Sequence, residues 1–150
     1  MTSLISRSKL MILVDTREQQ PFAFPEHLAE VKRETLKAGD YSLDGDTQLA
    51  VERKSLDDFV GTISSGWERF LRELLRMSNH VAKVVIIEGN LTEIIDHQYN
   101  HPQVKPPFVL KRIAELTLQG VNILFADNSI SAAGMCYAIL KERKKEIDND

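Results

Sequence analysis

The chain has little of most features that would place it in a specialised class. It contains one cysteine, Cys136, in 150 residues, which excludes an intramolecular disulfide framework and a multi-cysteine zinc site. Long apolar runs are missing too. Near the N-terminus the longest is Leu10–Val14, stopped by Asp15, which is too short for a secretory signal or a membrane span. No Gly/Ser linker, repeat or low-complexity tract divides the sequence. Basic charge is also scarce: 19 Lys+Arg against 22 Asp+Glu leave a net charge of -3. A passive nucleic-acid coat would normally carry a basic surplus, so that class is disfavoured. What is present is ordinary, 43% hydrophobic and 27% charged, and a domain of this size buries about 68–70% of its unfolded surface. The expectation is a soluble intracellular protein built as one domain over residues 1–150, with no membrane segment.

Periodicity then orders the chain. Leu10–Val14 reads as a buried strand, followed by the polar group Asp15–Gln20 and a loop marked by Pro21 and Pro25. Val31–Leu36, Tyr41–Leu43 and Leu49–Lys54 are strand-like, the last two flanking the turn composition Asp44-Gly45-Asp46. Together they suggest a meander of three or four strands. Trp67, Phe70, Leu71, Leu74 and Leu75 carry the spacing of an amphipathic helix. Val81–Ile87 follows as a β-branched run suited to a strand buried on both faces. A short helix over Leu91–His97, a helix over Phe108–Gln119 ended by Gly120, and a strand over Val121–Ala126 come next. Ser129 or Ser131 can cap a last helix that runs into the charged tail Lys141–Asp150. The fold class is α/β, a central mixed sheet flanked by helices.

The chemistry is concentrated in residues 39–58, GDYSLDGDTQLAVERKSLDD. Glu52 and Lys54 are two apart on a strand and share a face, while Arg53 points to the other. Two hairpin registers are open. A five-residue loop over Asp44–Gln48 pairs Leu43 with Leu49 and sets Asp40 opposite Glu52. A two-residue turn at Asp44-Gly45 moves Asp40 opposite Leu49. Facing carboxylates repel, and a bound hard divalent cation gives them a reason to exist. The competing reading is a solvated strand face with an ion pair contributing about 0.2–1 kcal/mol. The surroundings favour the site. Val51, Leu56, Phe59, Val60 and Ile63 put apolar packing beside the triplet, and Asp15 and Glu18 end the first strand with further carboxylates for the same edge.

ILVDTRE (Ile12–Glu18), GDY (Gly39–Tyr41) and VERKSLDD (Val51–Asp58) resemble, in that order, the blocks of the XPF-type nuclease domain. That family belongs to the restriction-endonuclease-like PD-(D/E)xK superfamily, whose hallmark here is GD…ERKxxxD. The layout is most similar to small stand-alone phage and bacterial members, which places the chain in the cytoplasm of a bacterial or phage-infected cell. The resemblance implies metal-dependent cleavage of DNA phosphodiesters. Asp40 and Glu52 would hold Mg²⁺ or Mn²⁺ with the backbone carbonyl of Arg53, Lys54 would orient the attacking water, and Asp15 would support a second metal. Arg17, Arg53 and Asp58 would act as phosphate contact and supporting partners, with Glu18 behind the site. The chain departs from the family in two places. It reads Ser65-Gly66-Trp67-Glu68-Arg69-Phe70 where larger members carry a Gly-Arg-Leu/Phe segment, and it shows neither a helicase nor the tandem helix-hairpin-helix modules that dimerise and grip DNA. DNA is the expected partner, with a second copy or a partner subunit supplying recognition of DNA structure. The alternative is a catalytically silent DNA-binding or protein-docking module on the same fold.

Weaker signals stand beside these. Arg69, Arg72 and Arg76 lie on one helix face as a phosphate-tracking stripe, of which Arg69 and Arg72 are the DNA-binding candidates. The same residues also offer the pairs Glu68–Arg72 and Arg69–Glu73 of a solvated face. Asp96, His97 and His101 read as a surface loop rather than a metal site. Residues 98–107 are either a flap over DNA or a plain connector. Cys136 reads as a core thiol.

Overall fold

A computed structural model describes residues 9–149. Six strands and five helices follow one another among these residues: β1 (Leu10–Asp15), β2 (Ala29–Glu34), β3 (Tyr41–Leu43), β4 (Leu49–Ser55), α1 (Leu56–Ile63), α2 (Trp67–Arg76), β5 (Ala82–Glu88), α3 (Leu91–Ile95), α4 (Pro106–Leu118), β6 (Val121–Ala126) and α5 (Ser129–Asp148). The strands form one mixed sheet in the order β2-β1-β3-β4-β5-β6. β3 runs antiparallel to both β1 and β4, so these three strands form a meander. β4, β5 and β6 are parallel, joined by the helical crossovers that parallel pairing requires. β2 corrects the meander expectation: it lies parallel to β1 at the outer edge, Leu10 facing Ala29 through Asp15 facing Glu34. All its residues after Ala29 are exposed, so it has no apolar run to mark its place.

Strand alternation divides the core between the two faces. Leu10, Ile12, Val14, Leu49, Val51, Val84 and Ile86 pack with Ala132, Cys136 and Leu140 of α5. Ala50, Val85 and Ile87 pack on the opposite face with α1, α2 and α4, through Phe59, Val60, Phe70, Leu74, Val109 and Leu116. Cys136 is fully buried, and burial pushes its thiol up to about 12, as a core thiol requires. β5 is buried over Val84–Ile87, as its β-branched run suggested.

Several local expectations are corrected. α1 is a separate helix, started by the Ser55 side chain accepting from the Asp58 amide. Leu75 of the α2 stripe faces solvent, while Phe70 and Leu74 are buried. The cap of α5 is Asn128, and Ser131 closes the capping box instead of providing the cap. The C-terminal tail is anchored: Arg143 makes two hydrogen bonds to the Asp46 carboxylate, at 2.8 and 3.1 Å, which ties α5 to the β3–β4 loop. Among the described residues no helix is long and apolar enough to cross a membrane.

Candidate active site

β4 carries the site because its alternation continues past the core. Ala50 faces the α1/α2 side of the sheet, so Glu52 and Lys54, two and four residues on, face that side as well. Val51 faces the α5 side, and Arg53 follows it. Tyr41 pairs with Val51, the register of the five-residue loop, and one residue further brings Asp40 level with Glu52. At this point Gly39 is required. Its φ is +74°, and a Cβ there would stand 3.1 Å from the Val51 backbone, so a larger residue would be strained twice over. The tight approach lets the Asp40 amide donate to the Val51 carbonyl at 2.8 Å, while the Asp40 carbonyl accepts from the Asp15 amide at 2.9 Å.

The two carboxylates are poised electrostatically. Burial pushes Asp40 up to about 6, against the lowering hydrogen bond from the Arg53 amide, with Glu18 adding repulsion and Lys54 opposing it. Burial likewise pushes Glu52 up to about 7, helped by Asp40 and, from α2, by Glu73, and opposed by Lys54. Lys54 Nζ lies 3.8 Å from Glu52 Oε1, with both side chains about one quarter exposed. One Asp40 oxygen accepts from the Arg53 amide at 2.8 Å. Desolvated, mutually repelling carboxylates are an oxygen donor set that a hard divalent cation relieves, and such an ion keeps several waters beside few protein ligands.

The other expected residues are placed differently. Asp15 is almost fully buried, and both of its oxygens are engaged, by Arg17 Nε at 2.6 Å, Arg17 Nη2 at 3.1 Å and the Leu36 amide at 2.9 Å. Burial alone would raise its pKa, but the hydrogen bonds from Arg17 and from the Leu36 and Arg17 amides hold it below the usual value. Its carboxylate is thus committed to Arg17 and the backbone, and among the described residues no group of three or more His, Cys, Asp or Glu is gathered as a metal cluster. Arg17 is 71% exposed beside Asp15. The Arg53 guanidinium lies on the back of the sheet, over the Phe22 ring at 4.2 Å, and is bonded to Glu88 and the Gln20 carbonyl. This removes its side chain from phosphate contact. Glu18 accepts from the Tyr41 hydroxyl at 2.8 Å and lies 3.5 Å from Arg53. Asp58 is exposed in the first turn of α1.

On α2, Arg69, Arg72 and Arg76 are exposed. Arg69 pairs with Glu73 at 3.7 Å, and no Glu68–Arg72 pair forms among the described residues. The 98–107 segment is pinned to α1: the Asn100 amide donates to Asp57 Oδ1 at 2.7 Å, and a His101 ring nitrogen meets the Asp57 carbonyl at 3.0 Å. Two residues have roles at the site that the sequence does not assign. Glu88 partners Arg53; in the sequence it stands within Ile87-Glu88-Gly89, a strand ending that resembles the family's pattern. Glu73 of α2 adds repulsion to Glu52, and the sequence marks it only as the i,i+4 partner of Arg69.

The fold is thus an α/β domain, a mixed sheet with helices on both faces, with an acid-acid-lysine set beside its central strands. Comparison with known proteins agrees. Residues 14–139 match the ERCC4 domain, and the chain belongs to that family of XPF-type nuclease domains. It is 28% identical over 144 residues to a putative ATP-dependent RNA helicase of Methanocaldococcus jannaschii, covering 95% of this chain and 17% of that protein. It is 34% identical over 79 residues to the DNA repair endonuclease XPF of Drosophila melanogaster, covering 51% of this chain and 8% of that protein. The chain thus spans a small part of both relatives. Among solved structures, XPF from Aeropyrum pernix superposes with a TM-score of 0.70 at 22% identity, covering 93% of this chain and 67% of that one. The same protein in complex with DNA gives a TM-score of 0.70 at 23% identity, covering 92% and 66%.

Proposed function

We propose that this chain is a divalent-metal-dependent DNA endonuclease acting on repair or recombination intermediates. The observation that carries the reading is the Asp40–Glu52 pair with Lys54 in an ERCC4-family domain. The fold neighbour solved in complex with DNA supports the choice of substrate. Asp40 and Glu52 fit Mg²⁺ or Mn²⁺ as oxygen donors whose repulsion the ion would relieve, and the Arg53 carbonyl is the third ligand the family pattern suggests. Asp15, already committed to Arg17, fits a second ion poorly. When bound, the ion would polarise a phosphoryl oxygen and acidify water. The chain's own residues do the rest. The Arg53 amide fixes one Asp40 oxygen, Lys54 Nζ donates to the attacking water and to charge building on the phosphate, and the helices over the site reduce its exposure to solvent. Arg17, Arg69 and Arg72 are exposed cations suited to hold the backbone of the DNA.

The test is a cleavage panel of single-stranded, flap, fork, four-way and duplex DNA with Mg²⁺, Mn²⁺ or EDTA, run beside Asp40→Asn and Lys54→Ala. Metal-dependent cutting that both substitutions abolish, with the fold retained, is the expected result. Full activity in either variant refutes the assignment. Binding without cutting in every condition identifies a DNA-docking module instead.

A further inference from the structure

The two carboxylates of the site are each followed in the chain by a residue that crosses to the back of the sheet. Tyr41 follows Asp40, and Arg53 follows Glu52. Behind the sheet these two meet one acid, Glu18, which accepts from the Tyr41 hydroxyl at 2.8 Å and lies 3.5 Å from Arg53 Nη1. The Arg53 guanidinium is held on three further sides: Nε to Glu88 Oε2 at 2.8 Å, Nη1 to the Gln20 carbonyl at 2.6 Å, and its plane over Phe22 at 4.2 Å. Phe22 in turn stacks on Tyr41 at 4.7 Å, and its amide donates to the Tyr41 hydroxyl at 2.9 Å. Arg53, Glu18 and Glu88 all have side chains no more than 20% exposed, so these are bonds in a partly desolvated setting, where charge-assisted hydrogen bonds are at their strongest. On the front, the Arg53 amide donates to Asp40 Oδ2 at 2.8 Å. One residue therefore grips both faces, and its side-chain anchorage determines how its amide meets the carboxylate.

We propose that Glu88, acting with Glu18 through Arg53, is a positioning residue of the active site: a clamp behind the sheet that sets the Asp40 carboxylate relative to Glu52. The inference rests on the nuclease reading for its consequence, though the clamp itself is observable without metal or DNA. Glu88 sits at the end of β5 with Ser55 as its pairing partner, so the clamp also holds the last residues of β4 in register where the core no longer packs them. Its role is orientation. The divalent ion would meet a carboxylate already aimed, and partners of this kind change metal affinity or activity by about 10–100-fold when removed.

The experiment uses the whole chain and three variants, Glu88→Gln, Glu18→Gln and Tyr41→Phe, each checked for an intact fold by thermal melting. Amide hydrogen exchange is measured first, without metal or DNA. In Glu88→Gln the Arg53 amide should exchange about tenfold faster while the amides of Val85 and Ile86 keep their rates. Mn²⁺ affinity, followed by electron paramagnetic resonance, should weaken by about tenfold or more, and kcat should fall while KM for DNA holds. Tyr41→Phe and Glu18→Gln should move the same readouts in the same direction, and they carry the test should Glu88→Gln fail to fold. An unchanged Arg53 exchange rate together with unchanged Mn²⁺ affinity in the folded variants overturns the proposal. A wild-type chain that neither binds Mn²⁺ nor cuts, but whose Arg53 amide responds as described, upholds the clamp and refutes the nuclease reading.

Discussion

Glu52→Gln should stabilise the metal-free protein, and the size and pH dependence of that gain follow from the site. Burial and the neighbouring Asp40 carry Glu52 from 4.5 to about 7. A group whose folded pKa lies above its unfolded one destabilises the fold in its ionised form. The penalty is absent below about pH 4.5, grows as pH rises through the interval, and is complete above about pH 7. At about 1.4 kcal/mol for each tenfold, the ionised side chain costs the folded state about 3 kcal/mol at pH 8. Replacing it by the uncharged amide removes that cost, in which the opposing pull of Lys54, 3.8 Å away, is already included. The gain is about 3 kcal/mol, or about 6–12 °C in Tm for a chain of this length. Thermal melts of wild type and variant in EDTA from pH 4.5 to 8.5 should nearly coincide at the acid end, separate as pH rises towards 7, and keep a constant difference above it. Mg²⁺ or Mn²⁺ should then raise the wild-type Tm and leave the variant's unchanged, because only a ligand that binds the folded state stabilises it. A variant that melts at or below wild type at pH 8 would refute the account of Glu52 as a carboxylate raised by burial and by Asp40.

Three further outcomes test separate links. Arg143→Ala should cost about 3 kcal/mol, because Arg143 and Asp46 are 13% and 3% exposed and the change strands a buried carboxylate. Despite its burial, the Arg143 hydrogen bonds hold Asp46 below 3.8, so this contribution is complete above about pH 4 and is lost as pH falls further; a difference between wild type and variant that persists undiminished at pH 2 would contradict it. Arg69→Ala and Arg72→Ala should each weaken DNA binding about equally across sequences and lower the salt slope by about one, as read by anisotropy titrations at several salt concentrations. Ca²⁺, added without cleavage, should raise DNA affinity, since one bound divalent ion takes the net charge from -3 to -1. No change in affinity would count against assigning much of the chain's acidity to the site.

How much of this was legible depends on how local each cause is. The buried strands β1, β5 and β6 and the helix α2 announce themselves because burial imposes a period on neighbouring residues, and the structure places all four within a residue or two of the expected spans. α1 is hard to see in the sequence because LDDFVGTI is short, with a glycine and two β-branched residues at its end, and its one clear sign is the Ser55 cap. β2 is legible as a strand, but its partner and direction are not, because five of its six residues are exposed and its position comes from pairing with β1.

The same division holds at the site. Sequence alone determined that Glu52 and Lys54 share a face and that Arg53 does not, since alternation along a strand is a property of the backbone itself. It also narrowed the hairpin to two registers. Only the tertiary structure chose between them, through the left-handed Gly39 and its close approach to Val51. Only the fold could direct Asp15 to Arg17 and the Leu36 amide, and Arg53 to Glu88, thirty-five residues away. Asp15, Glu18, Asp40 and Glu52 were all candidates for the same edge of the sheet. Which of them remained desolvated and facing each other depended on which cations and amides the folded chain brought within hydrogen-bonding distance, a contest of charge and burial between distant segments that no local pattern records.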